Sequence, residues 1–490
     1  MTLESAPQGI PISYDSMPLG FLLGRILAFI LRSMLCKGER MDTVPRHRIH
    51  WQRKCRAIAT IALLAVTGGV AAQSLGQSND RKDVDVMEGF PPSPAMRVTK
   101  TNAFQPPYMR WAFRHARETS PTAGVRHAST PMTLPERPAA SLDDVQFNVE
   151  GQSVKLSDYL RDTHTDGFIV LHKGQIVFER YLDGFGPAQP HIWASMTKSL
   201  TGLMAAMLIV DGRLNPEARL ATYVPELVGN PFGDATVAQN LDMEVPVAYS
   251  PELPPDLGLF GAVGIIPRRA GAPDNIYDFL KTVSTDKRAV TGDYWFYQNG
   301  SPEAVAWAMR RISGKSWAEL AQETVWSKLA QDDAYIQVDS LGTEMASGGL
   351  STTLRDAARF ADAVRRAQAG DADAGIPVQA VRAALHPRGN QAGFATGRLA
   401  AGRSGYAYGD YWYQVNDGDG SVEASGRFGQ KIYINPKKEL SVVKFSSSPD
   451  SAPRGASAEA GKTVAARNGS LESSTAFIAA IRAVYGAIPH

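Results

Sequence analysis

The chain has 490 residues, 44% hydrophobic and 20% charged, which supplies a sizeable core and is ordinary for a soluble globular protein. A formal net charge of +2, with no basic block beyond the N-terminal region, argues against nucleic acid as the main partner. The only cysteines are Cys36 and Cys55.

Residues 46–56 are basic, Ala57 to Val66 are apolar, and Val70-Ala-Ala72 offers a small-residue cleavage site before Gln73. That is the order of a secretory signal. We therefore expect a targeting region at 1–72, with the signal at 41–72 starting from Met41 and residues 1–40 an over-extended start. The expected destination is the bacterial periplasm or the medium. Both cysteines precede the cleavage site, so the exported chain would have no disulfide, catalytic thiolate or cysteine-bound metal. Arg25 and Arg32 interrupt the apolar stretch Met17 to Cys36, which falls short of the roughly 20 uncharged residues of a membrane span.

Residues 73–104, rich in Ser, Asp, Pro and Gly, read as a linker, and 105–490 as the folded body. The body opens on Gln105-Pro-Pro-Tyr-Met-Arg-Trp-Ala-Phe113, whose aromatics suit packing across a larger surface. Two strands, Gly167 to Leu171 and Gln175 to Tyr181, are joined by a His172-Lys-Gly174 turn. A helix follows, with Leu200, Leu203, Met204, Met207 and Leu208 at helical spacing and Ser195 at its N-terminus. Helices are predicted over Ser301 to Arg311, Ser316 to Leu329 and Leu354 to Ala369, the last capped by Thr352 or Thr353. Val245 to Asp274, dense in Pro and Gly, reads as a long loop bordering an active site. From Tyr406 the pattern returns to strands: Tyr406 to Val415, Val422 to Arg427, Gln430 to Ile434 and Leu440 to Phe445. Asn416-Asp-Gly-Asp-Gly420 and Asn435-Pro-Lys-Lys-Glu439 are turns between them. The Asp-Gly repeat lacks the glycine a calcium loop carries at its sixth position, so it reads as a hairpin turn. A helix from Ser474 to Tyr485 closes the chain. These elements predict an α+β fold, its antiparallel sheet built from 105–195 and 400–490 around a mainly helical insertion at 196–399.

Three places carry chemistry. Ser195 and Lys198 lie one helical turn apart, so the amine can take the hydroxyl proton. The first-turn N–H groups, that of Ser195 included, can face a developing oxyanion. A second Ser-x-x-Lys, Ser284-Thr-Asp-Lys287, runs into a polar stretch and reads as a solvated loop. Tyr297-Gln-Asn299 offers a phenol to relay a proton and an amide to hold a carbonyl or the lysine. In Arg427-Phe428-Gly429-Gln430 the glycine lets a strand edge approach a substrate, and the Gln430 N–H can complete the oxyanion hole. Gly-x-Ser-x-Gly, His-Glu-x-x-His and Gly-x-Gly-x-x-Gly are all absent, and His172 and His191 read as structural or exposed.

In this order the three sites resemble the serine β-lactamase and penicillin-recognising family, particularly its class C-like branch. Within that fold the chain is similar to the 6-aminohexanoate-dimer hydrolases, the nylon-oligomer amidases. Pro106-Pro-Tyr-Met-Arg-Trp-Ala-Phe113, Thr165-Asp-Gly-Phe-Ile-Val-Leu171, Ser195-Met-Thr-Lys-Ser199, Tyr223-Val-Pro-Glu-Leu227, Leu241-Asp-Met243, Gly348-Gly-Leu350 and Gly429-Gln430 carry the likeness. The resemblance implies a β-lactamase/transpeptidase-like fold and acyl transfer through a covalent acyl-enzyme, with no metal or organic cofactor. By position, Ser195 would be the nucleophile and Lys198 the base. Tyr297 would relay the proton, Asn299 would support this network, and the N–H groups of Ser195 and Gln430 would form the oxyanion hole. Arg427, Phe428 and Gly429 stand where β-lactamases have Lys-Thr/Ser-Gly, so a substrate-binding edge without the hydroxyl favours a linear amide or ester. The alternatives are a β-lactamase or D-alanyl-D-alanine peptidase, and a catalytically silent binding or sensor module on the same fold. No motif bears on the oligomeric state.

Overall fold

The computed structural model describes residues 85–139, 142–289, 295–386, 392–396, 398–400, 402–449 and 471–489. The expected signal, its cleavage site and both cysteines lie outside them.

The body is organised on a seven-stranded antiparallel sheet. Two strands come from early in the chain, β1 (Thr165–His172) and β2 (Gln175–Tyr181). Five come from its end, β3 (Ala407–Gly409), β4 (Trp412–Gln414), β5 (Val422–Gly426), β6 (Gln430–Asn435) and β7 (Leu440–Ser446). The order is β3-β4-β5-β6-β7-β1-β2. The two halves meet where β7 pairs with β1, with Val443 opposite Ile169 and Ser441 opposite Leu171. The hairpin between β1 and β2 turns on Lys173 and Gly174, both at positive φ, as the Lys-Gly pair predicts.

Helices cover both faces. Lys431 of β6 reaches Ser474 at the start of the closing helix Ser474–Ala487. Ser441, opposite Ile434, meets Asp362 of the helix Leu354–Ala369. Residues 431 and 434 differ by an odd number, so the two helices lie on opposite sides of the pleat. Thr353 caps Leu354–Ala369 by accepting from the Asp356 N–H, as expected.

Several elements differ from the sequence pattern. Tyr406 to Val415 is two strands, because Asp410 and Tyr411 form a left-handed two-residue turn. Neither turn residue is a glycine; tertiary contacts hold the turn, the Ser199 hydroxyl donating to Tyr411 O and the Trp412 indole to Ser199 O. The Val245 to Asp274 stretch contains a helix, Pro255–Val263, stopped by left-handed Gly264. Inside the helical insertion, Ala334–Gln337 and Leu350–Thr352 are strands. They are buried throughout and so show no alternation to read. They join Thr122–Val125 and His191–Ile192 in a second, four-stranded sheet. Ser316 to Leu329 is helical but passes through a π turn at Gln322–Trp326. The end of the stretch expected as linker is packed: Val86 and Ala103 are buried, and Phe104 stacks on Phe428 and Phe260.

Candidate active site

The helix α1 (Thr197–Val210) is entered through a single 3-10 turn, Ala194–Met196. It is buried from Thr197 to Leu208, which is why its apolar residues recur on more than one face. Ala194 sits at φ +45°, a conformation that crowds the Cβ of any L-residue other than glycine. The turn is held by its surroundings: the Trp193 N–H donates to Leu350 O, the Trp193 indole to Thr352 Oγ1, and the Thr197 hydroxyl to Ala194 O. The strained residue presents Ser195, which keeps partial exposure, while Lys198 is 1% exposed. A partly accessible hydroxyl beside a buried amine is an arrangement that suits nucleophilic chemistry.

Lys198 Nζ lies 2.9 Å from Ser195 Oγ, 2.7 Å from Asn299 Oδ1 and 2.7 Å from the carbonyl oxygen of Ser347. It stands over the Tyr297 ring, 5.1 Å from the centroid. Burial pushes its pKa down to about 7, against the pull of the Glu303 and Asp256 charges. A neutral amine has two N–H donors and one lone pair. With Asn299 and Ser347 taking the donors, the lone pair is left facing the Ser195 hydroxyl.

Tyr297 and Asn299 are positioned by the start of the helix α2 (Gly300–Ser313). An asparagine before a helix ordinarily caps it, but here the Gln298 side chain does so, its Oε1 accepting from the N–H groups of Gly300 and Ser301. The Asn299 amide is thereby free to serve Lys198 through its oxygen and Asp256 through its nitrogen, the latter at 2.9 Å. Burial holds the Tyr297 phenol well above its ordinary pKa, while a hydrogen bond with Ser195 pulls the other way. At neutral pH the phenol keeps its proton and is able to donate a hydrogen bond.

The last-strand residues are brought to the same place. The 3-10 turn Arg427–Gly429 packs against Ala194–Met196. Gly426 lies so close to the turn that a Cβ there would sit 2.5 Å from Trp193 O. Gln430 is buried at the start of β6, its side chain spent on Ser446 of β7. Gly429 takes φ +88°. Arg427 is half exposed and 4.0 Å from Asp256, so a cation stands at the rim. Phe428 departs from the expected substrate-binding role: its ring is buried with Phe113 and Phe104, at 4.8 and 5.8 Å. Its backbone at φ +68° turns the side chain inward, where apolar burial outweighs the strain.

The other motifs fall outside the site. Ser284 and Lys287 are exposed, Ser284 in a two-residue strand. His191 is buried against Asp166, and His172 packs edge-on to Tyr485. Among the described residues no group of His, Cys, Asp and Glu is arranged to hold a metal ion.

A family model described as Beta-lactamase matches residues 156–467. The chain belongs to the beta-lactamase family. This family member is 32% identical over 368 residues to the 6-aminohexanoate-dimer hydrolase of Paenarthrobacter ureafaciens, covering 74% of this chain and 91% of that protein. A solved structure of a candidate 6-aminohexanoate-dimer hydrolase from Bacillus anthracis superposes with a TM-score of 0.68 at 30% identity, covering 80% of this chain and 98% of that one. A candidate beta-lactamase from Bacteroides dorei shares the fold at a TM-score of 0.50 and 15% identity, covering 68% and 97%. The beta-lactamase-family chain is thus a serine hydrolase with a β-lactamase/transpeptidase-like fold, similar to 6-aminohexanoate-dimer hydrolases.

Sequence reasoning missed Asp256, Glu303 and Ser347. Glu303 had a signal, an acid in the first turn of a helix, but that reads as a partner of the helix dipole. Ser347 stands beside the Gly348-Gly-Leu350 likeness, yet it acts through its carbonyl, which every residue has.

Proposed function

We propose that this hydrolase cleaves small linear amides or esters through an acyl-enzyme on Ser195. The observation that carries the reading is the Lys198 amine, buried, 2.9 Å from the Ser195 hydroxyl, and held by two fixed acceptors. Ser195 Oγ attacks the carbonyl as Lys198 takes its proton. The N–H groups of Ser195 and Gln430 receive the oxyanion, and Tyr297 passes a proton to the departing amine or alkoxide. Water then attacks the ester, releasing the acid and restoring Ser195. Arg427, loosely placed at the rim and followed by Phe428 where β-lactamases carry Thr or Ser, supports a linear substrate over a β-lactam. We further propose that the enzyme acts after export, on the strength of the signal pattern at 41–72.

The test is intact mass after exposure to a fluorophosphonate, comparing wild type with Ser195→Ala. One adduct in wild type and none in the variant is expected, and should be followed by turnover of linear amides or esters above that of nitrocefin. No adduct on folded wild type would sink the acyl-enzyme reading and leave a binding module; Ser195-dependent nitrocefin turnover exceeding that of linear substrates would make the protein a β-lactamase.

A further inference from the structure

Each acceptor that holds Lys198 is itself held by a carboxylate that does not touch the lysine. Asp256 fixes the Asn299 amide and is half exposed. The second carboxylate is Glu303, in the first turn of α2 and 0% exposed. One of its oxygens accepts from the Ala346 N–H at 3.1 Å and the other from the Ser347 N–H at 2.8 Å. Ser347 then offers its carbonyl oxygen to Lys198 at 2.7 Å. Across the turn, the Thr201 hydroxyl of α1 donates to Ala346 O at 2.8 Å. The segment is therefore anchored from both sides, with Thr201 securing its place and Glu303 the orientation of its peptide groups.

We propose that Glu303 is a positioning residue for the catalytic base: it pins the Ala346–Ser347 peptides so that the Ser347 carbonyl takes one Lys198 N–H and the lone pair stays aimed at Ser195. This rests on the acyl-enzyme reading above. Burying a carboxylate is costly unless its oxygens are satisfied. A fold that required only helix capping here had Gln298 already in place. The charge also bears on the lysine. The charged and titratable groups facing Lys198 are Tyr297, Asp256 and Glu303; Arg310, on the same helix as Glu303 and paired with Glu344, favours the Glu303 charge. Replacing Glu303 by a neutral group removes a negative charge that favours protonated Lys198, so the lysine should deprotonate at lower pH.

The experiment measures the second-order rate of Ser195 phosphonylation by a fluorophosphonate across pH for wild type, Glu303→Gln and Glu303→Asp, with circular dichroism on each to establish folding. Wild type should rise with pH through about 7 to a plateau. Glu303→Gln, which keeps the size but can accept at only one oxygen, should lose on the order of 10²-fold at the plateau. Its acid limb should move to lower pH. Glu303→Asp, which keeps the charge on a shorter arm, should lose rate at the plateau with its limb in place. Wild-type rates and an unmoved limb in folded Glu303→Gln would overturn the proposal. So would failure of both variants to fold, which would make Glu303 a folding residue. A wild type that forms no Ser195 adduct is a different failure: it removes the acyl-enzyme reading itself.

Discussion

Lys198 is a cation by composition, but its location suits it to the base role proposed above. Burial beside Ser195 lowers its pKa to about 7, so close to neutrality a large fraction is unprotonated. Acylation should therefore climb about tenfold per pH unit below 7 and level off above it, a limb read by phosphonylation rates. Lys198→Ala should lower the plateau by about 10³-fold or more while thermal unfolding remains cooperative, because the proposed base is then gone. The same shift has a sign for stability. The unfolded chain holds this proton up to pH about 10.5, the folded one only to about 7, so the residue's contribution to stability rises with pH across that window. Ser195 and Lys198 were legible because one helical turn sets both. Their companions were not: the Asn299 oxygen arrives from 101 residues away and the Ser347 carbonyl from 149. Periodicity carries no information over such distances.

The turn after β5 shows how an element can be found for one reason and serve by another. Arg427-Phe-Gly reads from the sequence as a substrate edge, and the turn it forms packs against Ala194–Met196. Phe428, though, is its anchor, locked in an aromatic cluster with Phe104 and Phe113. Phe428→Ala should cost about 3–5 kcal/mol, the range for emptying a buried aromatic site, read by denaturant unfolding. The phosphonylation rate should fall with it, since the Gln430 N–H rides on the same turn. The left-handed Asp410-Tyr411 turn makes the related point. Turn residues such as Asn-Gly can be read locally, but a turn enforced by Ser199 and Trp412 contacts cannot.

Across the whole molecule, Asp166 at the start of β1 joins parts of the chain far apart in sequence. Its buried carboxylate accepts from Arg114, from Arg110 at 3.0 Å, from His191 at 3.1 Å and from the Ser447 hydroxyl at 2.5 Å. Burial opposes the charge, but His191, Arg114 and Arg110 outweigh it and hold the pKa well below the usual carboxylate range. Asp166→Asn should destabilise the protein by about 3–5 kcal/mol at pH 7, because buried Arg114 loses its carboxylate partner while Arg110 keeps only Asp183. The sign with pH follows. A carboxylate whose folded pKa is depressed stabilises the native state above its unfolded pKa, about 3.9, and loses that contribution as pH falls toward the folded value. The gap between wild type and variant in urea unfolding should be full at pH 6 and narrow below about pH 4. This network gives a packing role to Arg110, within a segment that carried family likeness, and to His191, which reads from the sequence as structural or exposed.

The sequence by itself determined the local matters: the α1 turn bearing Ser195 and Lys198, the strand pairs at either end, the capped helix Leu354–Ala369, and through the order of three short motifs the family. Each depends on residues within a few positions of one another, where spacing and side-chain type suffice. Only the tertiary structure decided the fate of Phe428, the short buried strands of the second sheet, and the carboxylates that steady the lysine's acceptors. Burial decides each of these. Whether a carboxylate is solvated or pinned to two backbone N–H groups, and whether a phenylalanine faces substrate or core, depends on what distant segments place against it.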